Sequence, residues 1–289
     1  MMKTCISTYS YDRLYKAGNF THFDAIEHAK KIGAEGIELV LRDAPEGYTL
    51  LEYVKLFCEK AKEAGLTVPI LTVSADFYYR DPEEELKILM ERVDVASLCG
   101  IPLMRHDVGS RFRGDEAVRS YKVIVEAAAP YVRRLAEYAE SKGVKTCTEN
   151  HGRLLQDSYR VEELLYAVNH KNYGFLCDMG NFGGADENCA VAVSRMLPHV
   201  CYVHAKDNFL KNGMAYNPGR GWNLTRGGNY RRATIFGHGD VPTFQILAAL
   251  KKYGYDGWVS IEHEGIEDNL MALEIGMENL KRMIKDLEA

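Results

Sequence analysis

The chain has 289 residues, of which 46% are apolar and 27% charged, an ordinary composition for a globular protein. Its net charge is −5, and no run of about 18 apolar residues occurs, which argues against nucleic-acid binders, anionic-membrane binders and transmembrane proteins. The seven cysteines are scattered without a Cys-x-x-Cys pair, and no secretory signal pattern opens the chain. We therefore expect a cytoplasmic protein with reduced thiols.

One pattern recurs along the chain: a helical stretch ends in glycine, and a short apolar run follows. It occurs at Gly33, Gly65, Gly100, Gly143 and Gly254. A glycine there is typical of a left-handed helix cap, and the runs are short and rich in Val, Ile and Leu, as strands are. The predicted strands are residues 3–8, 35–41, 68–74, 101–107, 145–150, 173–178, 200–205 and 257–262.

Strands that alternate with helices predict an α/β protein with a parallel sheet. Eight such units predict a closed (β/α)8 TIM barrel, with residues 1–289 as a single domain. An open doubly wound sheet is the competing fold, but no Gly-x-Gly-x-x-Gly motif opens the first strand–helix turn. A long loop, residues 207–240, follows strand seven and holds four arginines. Long connections without secondary structure are uncommon and often functional.

Four consecutive predicted strands end in side chains that can bind a metal: Glu149, Asp178, His204 and Glu262. In a barrel these positions share the C-terminal rim, where active sites lie. Three carboxylates crowded together repel each other and are costly to bury unless a cation neutralises them. Three oxygen donors and one imidazole suit Mn²⁺ or Mg²⁺ and tolerate Co²⁺ or Zn²⁺. We predict one divalent metal ion, with manganese as the first choice.

Further motifs accompany the four residues, namely His204-x-Lys206-Asp207 and Gly237-x-Gly239. With them, the chain resembles the xylose isomerase-like TIM barrels, the sugar phosphate isomerase/epimerase superfamily, along essentially its whole length. In the ketose 3-epimerase branch the four equivalent residues hold one divalent metal. The resemblance implies that Glu149 and Glu262 are both metal ligands and the catalytic acid and base. It implies that Asp178 and His204 are ligands only.

The chain departs from that branch at two positions that help to hold the substrate. Asn181 stands where the branch has His, and Leu210 stands where it has Arg. Arg105 and His106 close strand four, and their side chains must point to opposite faces. A buried pair with Glu38 is one expected outcome for Arg105. The residues expected to bind substrate are His106, His151, Asn181, Lys206, Asp207, Arg220 and His238.

These features lead to one main hypothesis about function. The protein is a metal-dependent isomerase or epimerase of a small ketose, sugar phosphate or keto-polyol, which removes a proton beside a metal-bound carbonyl and forms an enediolate. Loss of a β-hydroxyl after the same first step would instead make it a dehydratase or lyase of a keto-sugar or inosose. A non-catalytic carbohydrate-binding barrel is a third hypothesis. The resemblance also implies a homo-dimer or homo-tetramer.

DNA cleavage is a further activity found on this fold, in endonuclease IV. That enzyme needs three metals and an additional Asp-x-His, where this chain has Arg231-Arg232-Ala233. The acidic net charge also disfavours a DNA substrate. We therefore expect a small sugar or sugar phosphate as the partner, and neither nucleic acid nor membrane.

Overall fold

Eight parallel strands close into a barrel in the computed structural model, which describes residues 1–288. The barrel strands are β1 (Lys3–Ser7), β2 (Gly36–Val40), β3 (Ile70–Val73), β4 (Leu103–His106), β5 (Lys145–Glu149), β6 (Tyr173–Asp178), β7 (Val200–Ala205) and β11 (Trp258–Ile261). Three more strands, β8 (Asp207–Lys211), β9 (Asn223–Leu224) and β10 (Tyr230–Thr234), lie outside the barrel. The barrel order is β1-β11-β7-β6-β5-β4-β3-β2. All eight predicted barrel strands are present, and the predicted TIM barrel is confirmed.

Helices separate the barrel strands and cover the outside of the barrel. They are α1 (Asp12–Ala17), α2 (His22–Lys31), α3 (Leu50–Glu63), α4 (Pro82–Leu98), α5 (Tyr121–Ser141), α6 (Ser158–Val168), α7 (Cys189–Met196), α8 (Thr243–Tyr253) and α9 (Asn269–Glu288). Capping boxes at Thr21 and Thr49 begin α2 and α3, because each threonine pairs with an acid three residues later. Within residues 1–288, no helix combines the length and apolarity that a bilayer crossing requires.

The buried residues form two apolar layers, one on each side of the barrel wall. Most of them lie between the strands and the helices. A smaller cluster fills part of the interior, including Leu103, Cys147, Leu176 and Tyr202. Strands buried on both faces are apolar nearly throughout, as in other parallel sheets. The buried acids and histidines of the barrel strands lie mostly towards their C-terminal ends.

The long connection after β7 is present, but it is not a loop without secondary structure. It folds into an antiparallel sheet of β8, β10 and β9, in that order. Asp207 of β8 lies opposite Thr234 of β10 in the register of this sheet. Since β8 begins two residues after β7 ends, the sheet stands directly beside the C-terminal rim of the barrel.

Asp207 fixes the return of the chain from this sheet to α8. Its carboxylate accepts hydrogen bonds from the backbone N–H groups of Asn208, Gly237, Gly239 and Val241, at 2.8–3.2 Å. A Cβ on Gly239 would lie 2.2 Å from Asp207 Oδ1, so the turn can approach the carboxylate only with glycine there. Asp207 is therefore a structural anchor in this protein.

We expect Asp207→Ala to lower the free energy of unfolding by about 2–4 kcal/mol, because several buried N–H groups lose a charged acceptor. Chemical denaturation measures this loss. Asp240→Ala is the matched control, since that exposed carboxylate accepts one backbone bond, from Leu210 at 2.7 Å. Equal losses in the two variants would contradict the anchoring role of Asp207.

Candidate metal centre and active site

The barrel brings Glu149, Asp178, His204 and Glu262 together at its C-terminal rim. One potential ligand atom from each residue lies within 4.8 Å of those from the other three, and all four residues are buried. Three of them lie in β5, β6 and β7, and Glu262 directly follows β11. Four residues that are far apart in sequence thus form one compact donor cluster, which we call the metal cluster.

Glu38 of β2 determines how the His204 ring is oriented. The His204 Nε2 atom lies 2.9 Å from Glu38 Oε2, and Thr72 and Ser260 donate hydrogen bonds to the same carboxylate at 2.7 and 3.0 Å. Burial alone would raise the pKa of Glu38, but the charge of His204 and these hydrogen bonds outweigh it and lower that pKa. The other ring nitrogen, Nδ1, consequently faces the cluster, 3.6 Å from carboxylate oxygens of Glu149 and Glu262.

Glu149 is held by donors on both of its oxygens. Arg105 Nη2 lies 2.8 Å from Oε2, and Asn181 Nδ2 donates to Oε1 at 3.1 Å. Burial would raise the pKa of Glu149, but the charge of Arg105, helped by His204, holds it well below the usual range. Glu149 is therefore an ionised carboxylate in a fixed orientation.

Glu262 has a different environment because its charged neighbour is a lysine. Lys206 Nζ lies 2.5 Å from Glu262 Oε2, 2.9 Å from Asp178 Oδ2 and 3.1 Å from Glu264 Oε2. Burial raises the pKa of Glu262 to about 7, although Lys206 and His204 act to lower it. The two glutamates of the cluster thus differ in proton affinity.

The donor set fits a divalent cation. His204 Nδ1 is buried and has no hydrogen-bond partner among residues 1–288, although it faces three carboxylates. Asp178 is fixed by the backbone N–H groups of Gly180 and Asn181, which donate to Oδ1 at 2.9 Å and leave Oδ2 directed at the cluster. Carboxylate oxygens and one imidazole nitrogen could hold Mg²⁺, Mn²⁺ or Zn²⁺.

A cavity of about 550 Å³ opens above the metal cluster, which is within the range of small-molecule sites. Its lining includes Tyr9, Arg105, Asp107, Glu149, His151, Glu262 and Glu264. His151 Nδ1 lies 3.1 Å from Asp107 Oδ1. Burial acts to lower the pKa of His151, but the hydrogen bond and the charge of Asp107 outweigh it, so the pKa is raised. The cavity is therefore polar around the donor cluster.

The structure places the predicted substrate residues in different regions. His151 lines the cavity, and Asn181 and Lys206 contact the metal cluster. Asp207 instead anchors the turn before α8. Arg220 and His238 are exposed and are not among the residues that line the cavity.

The expectations for Arg105 and His106 need correction. Because side chains alternate along β4, Arg105 points inward, where it contacts Asp107 and Glu149 rather than Glu38. His106 points outward, with its ring 5.8 Å from that of Tyr173 and 6.1 Å from that of Phe77. Burial lowers the pKa of His106 to about 4, so it is a neutral residue packed behind the barrel wall.

Sequence reasoning did not assign Asp107 and Glu264 to the site, and it considered Glu38 only as a partner of Arg105. Glu38 is the one acidic residue within the apolar run of β2, a signal that could have identified it. Glu264 lies two residues beyond Glu262, on the same side of the extended chain. Asp107 directly follows β4 and pairs with Arg105 Nη2 at 2.7 Å.

Comparisons with known proteins agree with this architecture. A family model described as xylose isomerase-like TIM barrel matches residues 26–283. Two curated relatives match about half of the chain, which in turn spans about half of their length. An uncharacterized protein of Methanocaldococcus jannaschii is 28% identical over 51% of this chain and 46% of its own. An inosose dehydratase of Yersinia enterocolitica is 26% identical over 45% of this chain and 44% of its own.

Solved structures with the same fold cover nearly the whole chain. D-psicose 3-epimerase of Clostridium cellulolyticum, solved with D-tagatose, has a TM-score of 0.73, 16% identity and 100% coverage of both chains. A probable 3-DHS dehydratase of Bacillus anthracis has a TM-score of 0.72 and 17% identity, and the match covers 97% of this chain and 99% of that protein. A Mycobacterium smegmatis protein solved with magnesium has a TM-score of 0.72 and 14% identity, and the match covers 100% of this chain and 98% of that protein. At these identities the likeness concerns the fold.

We expect Glu38→Gln to weaken divalent metal binding by roughly 10- to 100-fold, because the carboxylate that orients His204 is lost. Calorimetric titration of Mn²⁺ into metal-stripped protein measures the change. Glu35→Gln is the control, since Glu35 bonds Thr4 and is absent from the metal cluster. Wild-type affinity in Glu38→Gln would refute the orienting role.

Proposed function

The chain belongs to the xylose isomerase-like TIM barrel family, and we propose that it is a divalent-metal-dependent isomerase or epimerase. Its substrate would be a small ketose, a sugar phosphate or a related keto-polyol. The main observation in support is the metal cluster, in which three buried carboxylates and an unpartnered His204 Nδ1 converge. The epimerases among the proteins of similar fold support this proposal.

The charge balance of the site supports a divalent cation as cofactor. The cluster and its contacts contain the carboxylates of Glu38, Glu149, Asp178, Glu262, Glu264 and Asp107. The cationic side chains among them are Arg105, Lys206 and, when protonated, His151 and His204. A surplus of buried negative charge is costly unless a further cation balances it. Proteins similar in fold have been solved with magnesium and with zinc, and manganese is our first choice.

The two glutamates provide the proton transfer. A bound divalent cation would polarise a substrate carbonyl and stabilise the negative charge that develops when the adjacent C–H bond breaks. Glu149, held ionised by Arg105 and Asn181, is placed to accept that proton. Glu262, beside Lys206, is placed to return a proton to the substrate. Both carboxylates line the same cavity, so a substrate bound there would be within reach of both.

A specific observation favours a dehydratase as the second candidate. His151 lies in the cavity two residues beyond Glu149 and is hydrogen-bonded to Asp107. That position suits an acid that protonates a departing β-hydroxyl, so that it leaves as water after the first proton transfer. The match to an inosose dehydratase supports the same candidate.

The test of the shared first step is hydrogen exchange at the carbon next to the substrate carbonyl. We expect the Mn²⁺-loaded protein in D₂O to exchange that hydrogen in at least one of a panel of ketoses, inososes and ketose phosphates, followed by proton NMR. Glu149→Gln should lower the exchange rate by about 10²- to 10⁴-fold, because general base catalysis is lost.

Metal content provides the accompanying control. Mass spectrometry should find about one divalent metal per wild-type chain and loss of that metal in His204→Ala. Hydrogen exchange that persists after complete chelation of the metal would contradict the proposal, and so would a protein that binds no metal after reconstitution.

The second candidate predicts a separation of two rates in His151→Ala. If the protein is a dehydratase, hydrogen exchange should continue, while formation of the unsaturated product, followed by ultraviolet absorbance, should fall by about 10²-fold or more. His238→Ala is the control, because His238 is exposed and does not line the cavity. Epimerised product without any new absorbance in the wild type would exclude the dehydratase.

A further inference from the structure

A second cavity, of about 440 Å³, lies beside the first and beneath the antiparallel sheet. Asn208, Asn223 and Arg231 contribute to it from β8, β9 and β10. Tyr9, Asp12 and Glu264 line both cavities, which makes the two neighbouring lobes. We call the second one the sheet lobe, and a ligand that occupies the first can extend into it.

Two charged residues of the sheet lobe lack a partner of opposite charge. The acids of the lobe have lysine partners: Asp12 pairs with Lys16, and Glu264 shares Lys206 with Asp178 and Glu262. Its two arginines, Arg13 and Arg231, have no carboxylate within salt-bridge distance anywhere in residues 1–288. Arg13 bonds only the side chain of Asn269 and the carbonyl of Glu267. The lobe therefore contains two guanidinium groups without a carboxylate partner.

Arg231 differs from the three other arginines of the connection after β7. Arg226 bonds Asp157, Arg232 pairs with Glu267 at 3.4 Å, and Arg220 is exposed outside both lobes. The side-chain hydrogen bond of Arg231 goes from Nη1 to the neutral Asn181 Oδ1, at 3.5 Å. Asn181 also donates a hydrogen bond to Glu149, so Arg231 is connected to the metal cluster through Asn181.

An independent observation also indicates a ligand in the sheet lobe. His263 lines the lobe and is only 4% exposed, and neither of its ring nitrogens has a hydrogen-bond partner among residues 1–288, although Nε2 lies 3.9 Å from Glu267 Oε2. Buried polar atoms are nearly always satisfied by the protein, by water or by a ligand. A ligand with acceptor oxygens would satisfy both the His263 ring and the two free guanidinium groups.

We propose that the sheet lobe binds the anionic group of the substrate, a phosphate or a carboxylate, through Arg231 with Arg13 and His263 as further donors. Guanidinium groups match both anions with paired N–H donors. The inference rests on the proposed function in one respect, that the reacting end of the same molecule lies at the metal cluster. Its consequence is that the substrate is a sugar phosphate or a sugar acid and not a neutral ketose.

The test is calorimetric titration of two probes, inorganic phosphate and D-gluconate, into the Mn²⁺-loaded protein. Arg231→Met should weaken binding of the preferred anion by about tenfold or more, because a charge-assisted pair of hydrogen bonds is lost. Arg220→Met, which removes an exposed arginine of the same connection, should bind both probes as the wild type does. The tighter probe identifies the anionic group as phosphate or carboxylate.

Two further variants separate this inference from the metal-dependent function. A bound metal attracts anions itself, so the titration is repeated with His204→Ala, in which anion binding should persist within about threefold if the arginines are responsible. Loss of anion binding in His204→Ala would overturn the inference, because the anion would then sit on the metal. Persistence there, with no hydrogen exchange in the wild type, would instead count against the proposed function alone.

Arg13→Met provides a second route to the same answer if thermal melting shows that Arg231→Met is unfolded. It should weaken anion binding severalfold, since Arg13 lines the same lobe from α1 rather than from the antiparallel sheet. Wild-type affinity in the folded arginine variants, or no binding of either probe by the wild type, would refute the anion subsite.

Discussion

The burial of several carboxylates at one end of the barrel is the constraint on which the site depends. Glu38, Asp178, Glu149 and Glu262 are each less than a tenth exposed. Each unpaired charge in such a position would cost several kcal/mol, more than a marginally stable fold can tolerate. The surrounding structure consequently supplies cations and N–H donors to each of them, and those partners also fix the orientation of the functional groups.

This compensation is distributed over the whole barrel, which explains why the site is rigid. Glu38 of β2 receives bonds from β3, β7 and β11, so one carboxylate ties together four strands. Asn150 donates to the carbonyl of Asp178 and accepts from its N–H group, both at 2.9 Å, which joins the ends of β5 and β6. Ligand positions that are fixed by long-range bonds do not depend on the flexibility of loops.

The sequence was sufficient where a local rule applies, and insufficient where distant neighbours decide. An acid or histidine at the end of an apolar run predicts a rim position, so Asp178 and His204 could be identified without coordinates. The partner of Arg105 could not, because only the folded barrel shows that Glu38 contacts His204 and that Glu149 lies within reach of Arg105. Alternation along β4 likewise permits either Arg105 or His106 to face inward, and packing of the His106 ring against Phe77 and Tyr173 decides between them.

The metal cluster and the antiparallel sheet belong to different parts of the chain. The metal cluster and its orienting partners lie on or directly after barrel strands, whereas Arg231 and Asn223 lie on the sheet inserted after β7. Asp207 attaches that sheet through backbone N–H groups, a connection that does not depend on which side chains the sheet carries. Under the anion-binding proposal, substitutions on the sheet would change which substrate is held, while the donors at the barrel rim would keep their geometry.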